Sequence, residues 1–374
     1  MKLGTYAALA RKAFEANFRR LDHPFKLTFC ITYWCNYKCQ TCNIWKMKPR
    51  DELRLEEIQE FMRKSRDFLW VDLTGGEVTL RKDFVEVAHA VIEHSPHLLL
   101  LHFPTNGYLC DKIVENTKAI MDRRPEKLII TVSMDGDEKM NDEIRGIEGG
   151  WQRQIETFRR LREIPGVEVV LGMTLSGKNV DHFEQAYAAA AKEIPGLEYR
   201  DFHVNIVHEG HYLGNADLEL RQHTPPRALL DAVKNVSRLR GAPLGPIGYL
   251  ERTYLSHVER YLMTGKTPVR CHSLSASCFV DSWGNVFPCT IYDKKIGSLR
   301  DVDYDLRKIW ANPLAVQTQR EIWNYDCPQC WTPCEAYQSI MGNFLVPGRQ
   351  TPNGGPTVSA GPAGPAGPAG PARP

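Results

Sequence analysis

The 374-residue chain has no long hydrophobic run: its longest strongly apolar stretch, Leu98 to Phe103, is far too short to span a bilayer. It has no excess of charge, since 47 Lys and Arg face 45 Asp and Glu for a formal net charge of +2. No whole-molecule field therefore recruits nucleic acid. It also lacks an apolar N-terminal stretch, because charges stand where a secretion signal needs hydrophobic residues. The expected location is cytoplasmic, where a disulfide framework is not expected. A composition of 43% hydrophobic and 25% charged residues excludes a wholly disordered chain, and this length can bury a sizeable core.

What the chain has in plenty is cysteine, with 11 residues. Cys35, Cys39 and Cys42 form one group, Cys271, Cys278 and Cys289 a second, and Cys327, Cys330 and Cys334 a third, leaving Cys30 and Cys110 over. An odd count without a signal peptide argues against disulfides. Clustered cysteines in a reducing compartment argue for metal.

Leu3, Tyr6, Ala7, Ala10, Phe14, Phe18 and Leu21 share one face of an amphipathic helix over residues 3–21, largely clear of Arg11, Lys12, Arg19 and Arg20. Packing on the core is the expected role of that face. The flanking basic residues make peripheral contact with a membrane surface the alternative. From residue 26 strands and helices alternate. Strands are expected over 26–33, 68–74, 98–103, 128–133, 167–175 and 200–207, with helices over 55–66, 84–94, 111–122, 151–163 and 182–193. The strands read as continuous apolar runs, as when both faces are covered. Six such repeats predict an α/β fold, a parallel barrel or part-barrel with its chemistry at the C-terminal strand ends. Residues 226–266 read as a helical linker, entered through Pro225 and Pro226 and ended by Gly265. Residues 267–345 hold six cysteines and few periodic segments, as expected of a small domain stapled by metal. Residues 346–374 end in four Gly-Pro-Ala triplets from Gly361 to Ala372, too few for a triple helix, and are expected to be a disordered tail. The expected units are thus 1–24, 25–225, 226–266, 267–345 and 346–374.

Cys35, Cys39 and Cys42 are spaced C-x3-C-x2-C in a loop after the first strand. Three thiolates can hold three irons of a [4Fe–4S] cube and leave the fourth iron open to a non-protein ligand. A structural zinc site would instead want four closed ligands, and Cys30, inside the preceding strand, is the only nearby fourth thiol. Gly75-Gly76-Glu77 ends the second strand. The glycines allow a ligand close to the backbone, and the carboxylate suits an ammonium group.

Together these residues resemble the radical S-adenosylmethionine superfamily, over roughly residues 25–210. Two positions depart from the family's usual pattern, Thr41 before the third cysteine and Val78 after Glu77, and neither removes a ligand. The resemblance implies a partial (β/α)6 barrel and S-adenosylmethionine as cofactor. The open iron would chelate the cofactor's amino and carboxylate groups. Reductive cleavage would then give methionine and a 5′-deoxyadenosyl radical that abstracts hydrogen from substrate. An external one-electron reductant of flavodoxin or ferredoxin type is implied as partner. Ser133-Met134-Asp135-Gly136 followed by Arg145-Gly146 also resembles the family. There Ser133 and Arg145 would contact the cofactor, the guanidinium at its carboxylate. Asn106 is a further candidate for cofactor contact, and Asn179 is either another or a helix cap.

Cys271 with Gly284-x4-Cys289, and then Cys327-x2-Cys330-x3-Cys334, resemble the auxiliary-cluster domains called SPASM and twitch. Six cysteines are one short of the seven in a full SPASM domain. At least one auxiliary [4Fe–4S] cluster is expected. The favoured ligands are Cys271, Cys278, Cys289 and Cys334, with Cys327 and Cys330 in reserve; two three-cysteine clusters, or zinc, are the alternatives. His203, Asn205, His208 and His211 stand around the end of the sixth strand as candidates to face substrate. That substrate is a peptide, a small molecule or a lipid; no leader-peptide-binding winged domain is evident at the N-terminus. The competing function is a non-enzymatic iron–sulfur or zinc scaffold that transfers electrons.

Overall fold

A computed structural model describes residues 3–241 and 245–345. The expected tail over 346–374 lies outside the described residues. After helix α1 (Leu3–Ala16) the chain runs β1 (Lys26–Thr32), α2 (Leu55–Lys64), β2 (Trp70–Gly75), α3 (Phe84–His94), β3 (Leu100–Thr105), α4 (Cys110–Met121) and β4 (Leu128–Ser133). It continues through α5 (Glu138–Arg145), α6 (Gly150–Arg162), β5 (Val167–Leu175), α7 (Phe183–Glu193) and β6 (Phe202–Ile206). Strands β1 to β6 pair in parallel and in order, each separated from the next by helix as the repeats require. The short α5 was not expected from sequence. Asp137 caps it by accepting from the Met140 amide at 3.0 Å, and Gly146 ends it with φ +65°.

The strands are not uniformly buried. All seven residues of β1 are buried, but β3, β4 and β6 alternate buried with half-buried positions. The buried set packs outward under the helices, as Phe103 does against Phe84 of α3 at 5.1 Å between ring centroids. The half-buried set, including His102, Thr131, Ser133, His203 and Asn205, faces the inside of the part-barrel. That interior is polar, which the expectation of strands apolar on both faces did not foresee.

Residues 226–266 form two helices, α8 (Pro226–Arg240) and α9 (Pro246–Thr264), each started by proline at its first turn. The cysteine-rich segment has more structure than expected: β7 (Ser277–Val280), β8 (Asn285–Phe287), β9 (Gly297–Ser298), α10 (Leu306–Trp310), α11 (Pro313–Trp323) and α12 (Pro333–Met341). Strand β7 pairs in parallel with β1, from Lys26 opposite Ser277 to Phe29 opposite Val280. Strands β8 and β9 follow antiparallel, so one sheet of nine strands runs through both parts of the chain. Val280, Val286, Leu299, Leu306, Trp310 and Trp331 belong to the same apolar core as the barrel strands. This segment is therefore held by shared hydrophobic burial, and not by metal alone.

Helix α1 also differs from expectation. It packs through Ala13, Ala16 and the following Asn17, all buried, while Tyr6, Phe14 and Phe18 are 41%, 52% and 56% exposed. Small residues let it lie close against α12, where Asn17 donates to the Met341 carbonyl at 3.2 Å. The aromatic stripe turns outward as a result. No helix among the described residues is long and apolar enough to cross a membrane.

A charged clamp joins the two parts. Glu57 of α2 accepts from Arg300 at 2.8 and 3.1 Å and from the Tyr304 hydroxyl at 2.7 Å. Arg300 holds the Glu57 carboxyl down at about 2, against an ordinary 4.5. The folded-state value is depressed, so the stabilisation is complete above the ordinary value and is lost as pH falls towards the folded one. Glu57→Gln should cost roughly 1–2 kcal/mol in denaturant unfolding at neutral pH. The gap to the parent should narrow as the pH drops below 4.5; a pH-independent gap would mean that ionisation of Glu57 plays no part.

Candidate active site

The cysteine loop leaves β1 and is gripped on three sides. On the first, Gly76 donates its amide to the Thr32 carbonyl and Glu77 to the Trp34 carbonyl, each at 2.8 Å. A Cβ on Gly75 would lie 2.2 Å from the Thr32 oxygen, and one on Gly76 would lie 2.3 Å from the Trp34 oxygen. The glycines thus admit the loop itself, whereas sequence had reserved their space for a ligand. On the second side, Gln40 donates to the Ile144 carbonyl at 2.8 Å, and a Cβ on Gly146 would strike the Lys38 oxygen at 2.5 Å. This docks the C-terminus of α5 on the loop. On the third, Asn43 donates to the Leu213 carbonyl at 3.0 Å and Asn215 to the Thr41 carbonyl at 2.9 Å.

Cys35, Cys39 and Cys42 are half-buried on this loop. Burial pushes the Cys35 thiol up to about 11 and Cys42 to about 12, and raises Cys39. Each of Cys35 and Cys42 is raised further by the charge of its neighbours, while Arg145 opposes the rise at all three. Three thiols on one short loop need a positive centre to ionise together, and a metal cluster supplies one. The Cys42 sulfur already accepts from the Ile44 amide at 3.4 Å, a contact that suits a thiolate ligand.

Arg145 is nearly buried. One arm of its guanidinium pairs with Asp135 at 2.8 Å, while its Nε is buried without a hydrogen-bond partner among the described residues. A buried, unsatisfied donor beside the thiols calls for an acceptor, and an anionic cofactor group fits. Ser133 ends β4 on the inner face, half-buried. The three thiols and the unpartnered Arg145 Nε together fit an iron–sulfur cluster with a carboxylate-bearing ligand.

Other expected contacts are already committed within the protein. Glu77, only 1% exposed, accepts from the Asn106 amide at 2.6 Å, the Thr79 hydroxyl at 2.7 Å, the Thr105 hydroxyl at 2.9 Å and the Thr79 amide at 3.3 Å. Burial raises its carboxyl above the ordinary range, and these donors pull it back. The carboxylate read from sequence as an ammonium acceptor therefore ties the end of β2 to the end of β3. Asn106 donates to Asn36 at 2.7 Å and so braces the cysteine loop. Asn179 is fully buried and donates to the Asp135 and Thr174 carbonyls at 2.9 and 3.0 Å; it locks the loops after β4 and β5 together and caps no helix.

The sixth-strand candidates separate. His203 and Asn205 face the barrel interior, and His203 Nδ1 lies 3.0 Å from Glu251. His208 is buried, its Nε2 accepting from the Trp331 amide at 3.1 Å, and burial lowers it to about 4. That is a packing role. His211 Nε2 lies 2.9 Å from the Cys289 carbonyl.

The C-terminal cysteines regroup. The charges of Cys327 and Cys289 bear on Cys271, that of Cys330 on Cys289, and those of Cys271 and Cys327 on Cys330. Sulfur atoms of Cys271, Cys289 and Cys327 accept from Ser273, Tyr292 and Gln329 at 3.5, 3.3 and 3.1 Å. Cys278 stands apart: it sits in β7 opposite Leu27, fully buried within the hydrophobic core. Cys334 faces Lys26, Asp72 and Glu335. Cys278, inside β7, is thus set apart from the loops that carry Cys271, Cys289, Cys327 and Cys330.

Sequence reasoning missed a buried polar chain inside the barrel. Lys26, fully buried, pairs with Asp72 at 3.2 Å and donates to the Cys334 carbonyl. Asp72 also lies 3.1 Å from His102 Nδ1, and His102 Nε2 lies 2.9 Å from the Thr131 hydroxyl. Burial opposes the Asp72 charge, but Lys26 and His102 hold its carboxyl below the ordinary range. A lysine and an aspartate inside otherwise apolar strands were the signal.

The Glu77 arrangement gives a direct test. Glu77→Ala strands the Thr79, Thr105 and Asn106 donors, at roughly 1–3 kcal/mol for each unsatisfied group. Chemical denaturation should show a loss of about 3 kcal/mol or more. Parental stability with loss of cofactor affinity alone would instead put the carboxylate at the cofactor.

A family model described as the radical SAM superfamily matches residues 29–190, and one described as an iron-sulfur cluster-binding domain matches residues 271–343. The mycofactocin maturase MftC of Mycolicibacterium smegmatis is 27% identical over 179 residues, 46% of this chain and 43% of that protein. The chain thus aligns with less than half the length of that relative. The AdoMet-dependent heme synthase of Methanosarcina barkeri is 24% identical over 306 residues, 77% of this chain and 82% of that protein. Among solved structures, anSMEcpe with bound AdoMet and the Kp18Cys peptide superposes with a TM-score of 0.58 at 15% identity, covering 87% of this chain and 98% of that one. Streptococcus suis SuiB bound to the precursor peptide SuiA gives 0.55 at 16% identity, covering 92% and 78%. With its cysteine loop and its six-stranded parallel part-barrel, the chain carries a radical SAM domain over residues 29–190 and an iron–sulfur cluster-binding SPASM domain over residues 271–343.

Proposed function

We propose that the protein is an enzyme that cleaves S-adenosylmethionine at a cluster held by Cys35, Cys39 and Cys42 and modifies a polar substrate inside the barrel. The observation that carries this reading is the placing of three thiols on one loop beside Arg145, whose buried Nε has no hydrogen-bond partner among the described residues. When bound and reduced, the cluster and cofactor supply a 5′-deoxyadenosyl radical for hydrogen abstraction. Arg145 would then bind the cofactor carboxylate through its unpartnered Nε while Asp135 fixes its plane. The Gly76 backbone would border the ammonium, next to the Glu77 amide that anchors the cysteine loop. Ser133 offers a hydroxyl from the end of β4. The Cys271, Cys289, Cys327 and Cys330 thiols hold one auxiliary cluster.

The polar interior at His102, Thr131, His203 and Asn205 favours a substrate that offers hydrogen-bonding groups over a lipid chain. A peptide is the first choice, in line with the relatives named as maturases and the neighbours solved with peptides. A tetrapyrrole is the second, favoured by the length of the match to the heme synthase. The external reductant, a flavodoxin or ferredoxin type, meets the cysteine loop where Trp34 is 49% exposed beside exposed Lys46, Lys48 and Arg50. The outward stripe of Tyr6, Phe14 and Phe18, flanked by Arg11 and Arg19, suits peripheral membrane contact.

Replacing Cys35, Cys39 and Cys42 together by alanine should remove about four irons and stop 5′-deoxyadenosine formation; undiminished cleavage in that variant would refute the reading. The auxiliary set has its own test in iron content of the anaerobically purified triple variant. Adding Cys330→Ala should remove the remaining iron, whereas adding Cys278→Ala should leave it. The reverse pattern would restore the ligand set read from sequence, and zinc without iron would remove the auxiliary cluster.

A further inference from the structure

The segment after β6, residues 208–217, lies between the two cysteine sites and touches both. Towards the first, Asn43 donates its amide to the Leu213 carbonyl and its side chain to the Gly214 carbonyl, both at 3.0 Å, and Asn215 reaches the Thr41 carbonyl at 2.9 Å. Towards the second, the Tyr212 amide donates to the Thr290 carbonyl at 3.3 Å, and His211 Nε2 lies 2.9 Å from the Cys289 carbonyl. A Cβ on Gly210 would lie 2.7 Å from the Thr290 oxygen, so the approach is as close as a backbone allows.

Tyr212 then extends to the glycine pair. Its hydroxyl donates to the Gly75 carbonyl at 2.7 Å and sits 2.9 Å from the Thr74 hydroxyl. Its ring is wedged between Tyr33 at 6.0 Å and Phe279 of β7 at 5.2 Å. The Gly75–Gly76 peptide is thereby pinned at both ends. Its oxygen is held by Tyr212, and its N–H is held by the Thr32 carbonyl at 2.8 Å. The next carbonyl, on Gly76, belongs to the Gly76–Glu77 peptide, whose N–H is held by the Trp34 carbonyl at 2.8 Å, so the two soft torsions of Gly76 lie between two pinned planes. A glycine pair has no side chains to do this for itself.

We infer that His211 and Tyr212 form a strut that couples the auxiliary cysteine loop to the cofactor cradle, with Tyr212 as a positioning residue for the Gly75–Gly76 backbone. The inference rests on the proposed function, in which Gly76 borders the cofactor. A shift of the Cys289 loop moves His211, and the adjoining residue carries that shift to Gly75. The two sites are then coupled through one short segment with hydrogen bonds at both ends, a physical connection whose energy a double-mutant cycle can measure.

The test uses the full, reconstituted protein. Tyr212→Phe keeps the ring and removes only the hydroxyl. It should weaken S-adenosylmethionine binding by about five- to tenfold in calorimetry and alter the cofactor-induced change in the cluster's electron paramagnetic resonance spectrum. Iron content should stay parental. His211→Leu should weaken binding in the same direction, and the double variant should lose less than the product of the two effects. Hydrogen exchange at the amides of residues 74–77 should quicken in both single variants, with or without cofactor. Parental affinity and exchange in Tyr212→Phe would overturn the positioning role, as would loss of iron from the first site, which positioning leaves in place. Multiplicative effects in the double variant would overturn the coupling. If the parent itself fails to bind the cofactor, the proposed function falls, and exchange at residues 74–77 still decides whether the strut holds the backbone.

Discussion

The site depends on how closely the ends of β1 and β2 are pressed together. Backbone from Thr32 to Trp34 occupies the space where side chains on Gly75 and Gly76 would stand. Two amides from the β2 end donate into the cysteine loop, so the loop is an extension of the sheet and not a free excursion. Three thiols on a mobile loop would lose much of their affinity for a cluster to ordering entropy. Here the ordering is done in advance by backbone hydrogen bonds and by the Glu77 carboxylate, which collects donors from the β2 and β3 ends. The part of the motif that looks most chemical in sequence, the acid, serves the scaffold.

Strand β1 is the hub of the rest. It pairs with β2 on one side and with β7 on the other, so the barrel and the cysteine-rich segment meet at β1. Lys26, the first residue of β1, lies at the opposite end of the strand from the cysteine loop. It carries charge into the interior through Asp72 and touches the carbonyl of Cys334 at the start of α12. An unpaired buried lysine would be costly; the Asp72 pair and the Trp70 ring, 4.8 Å from its ammonium, make the position tenable. The floor of the part-barrel is thus built from both segments, and each needs the other to complete its burial.

The six strand–helix repeats were legible because each is an apolar run of ordinary length set off by turn residues, and the cysteine and glycine motifs were legible because spacing carries their meaning. What escaped notice depended on pairing across long separations. Strands β7 to β9 are only two to four residues long, too short for periodicity, and β7 finds its partner some 250 residues earlier in the chain. Cys278 and Cys289 look alike in sequence; only the register opposite Leu27 sends Cys278 into the hydrophobic core. The exposed face of α1 was misjudged for a related reason: hydrophobic residues mark a face but do not say which face a neighbour will cover, and here small alanines made the closer fit. Tyr212 had no signal at all, being one tyrosine in a loop.

The central claim is that the cysteine loop holds a cluster with one iron open to the amino-acid end of S-adenosylmethionine. Electron–nuclear double resonance of the reduced protein, with the cofactor labelled at its amino nitrogen by nitrogen-15, tests it most directly. The account predicts a hyperfine coupling between that nitrogen and the reduced cluster. A fully loaded first cluster with no such coupling would contradict it.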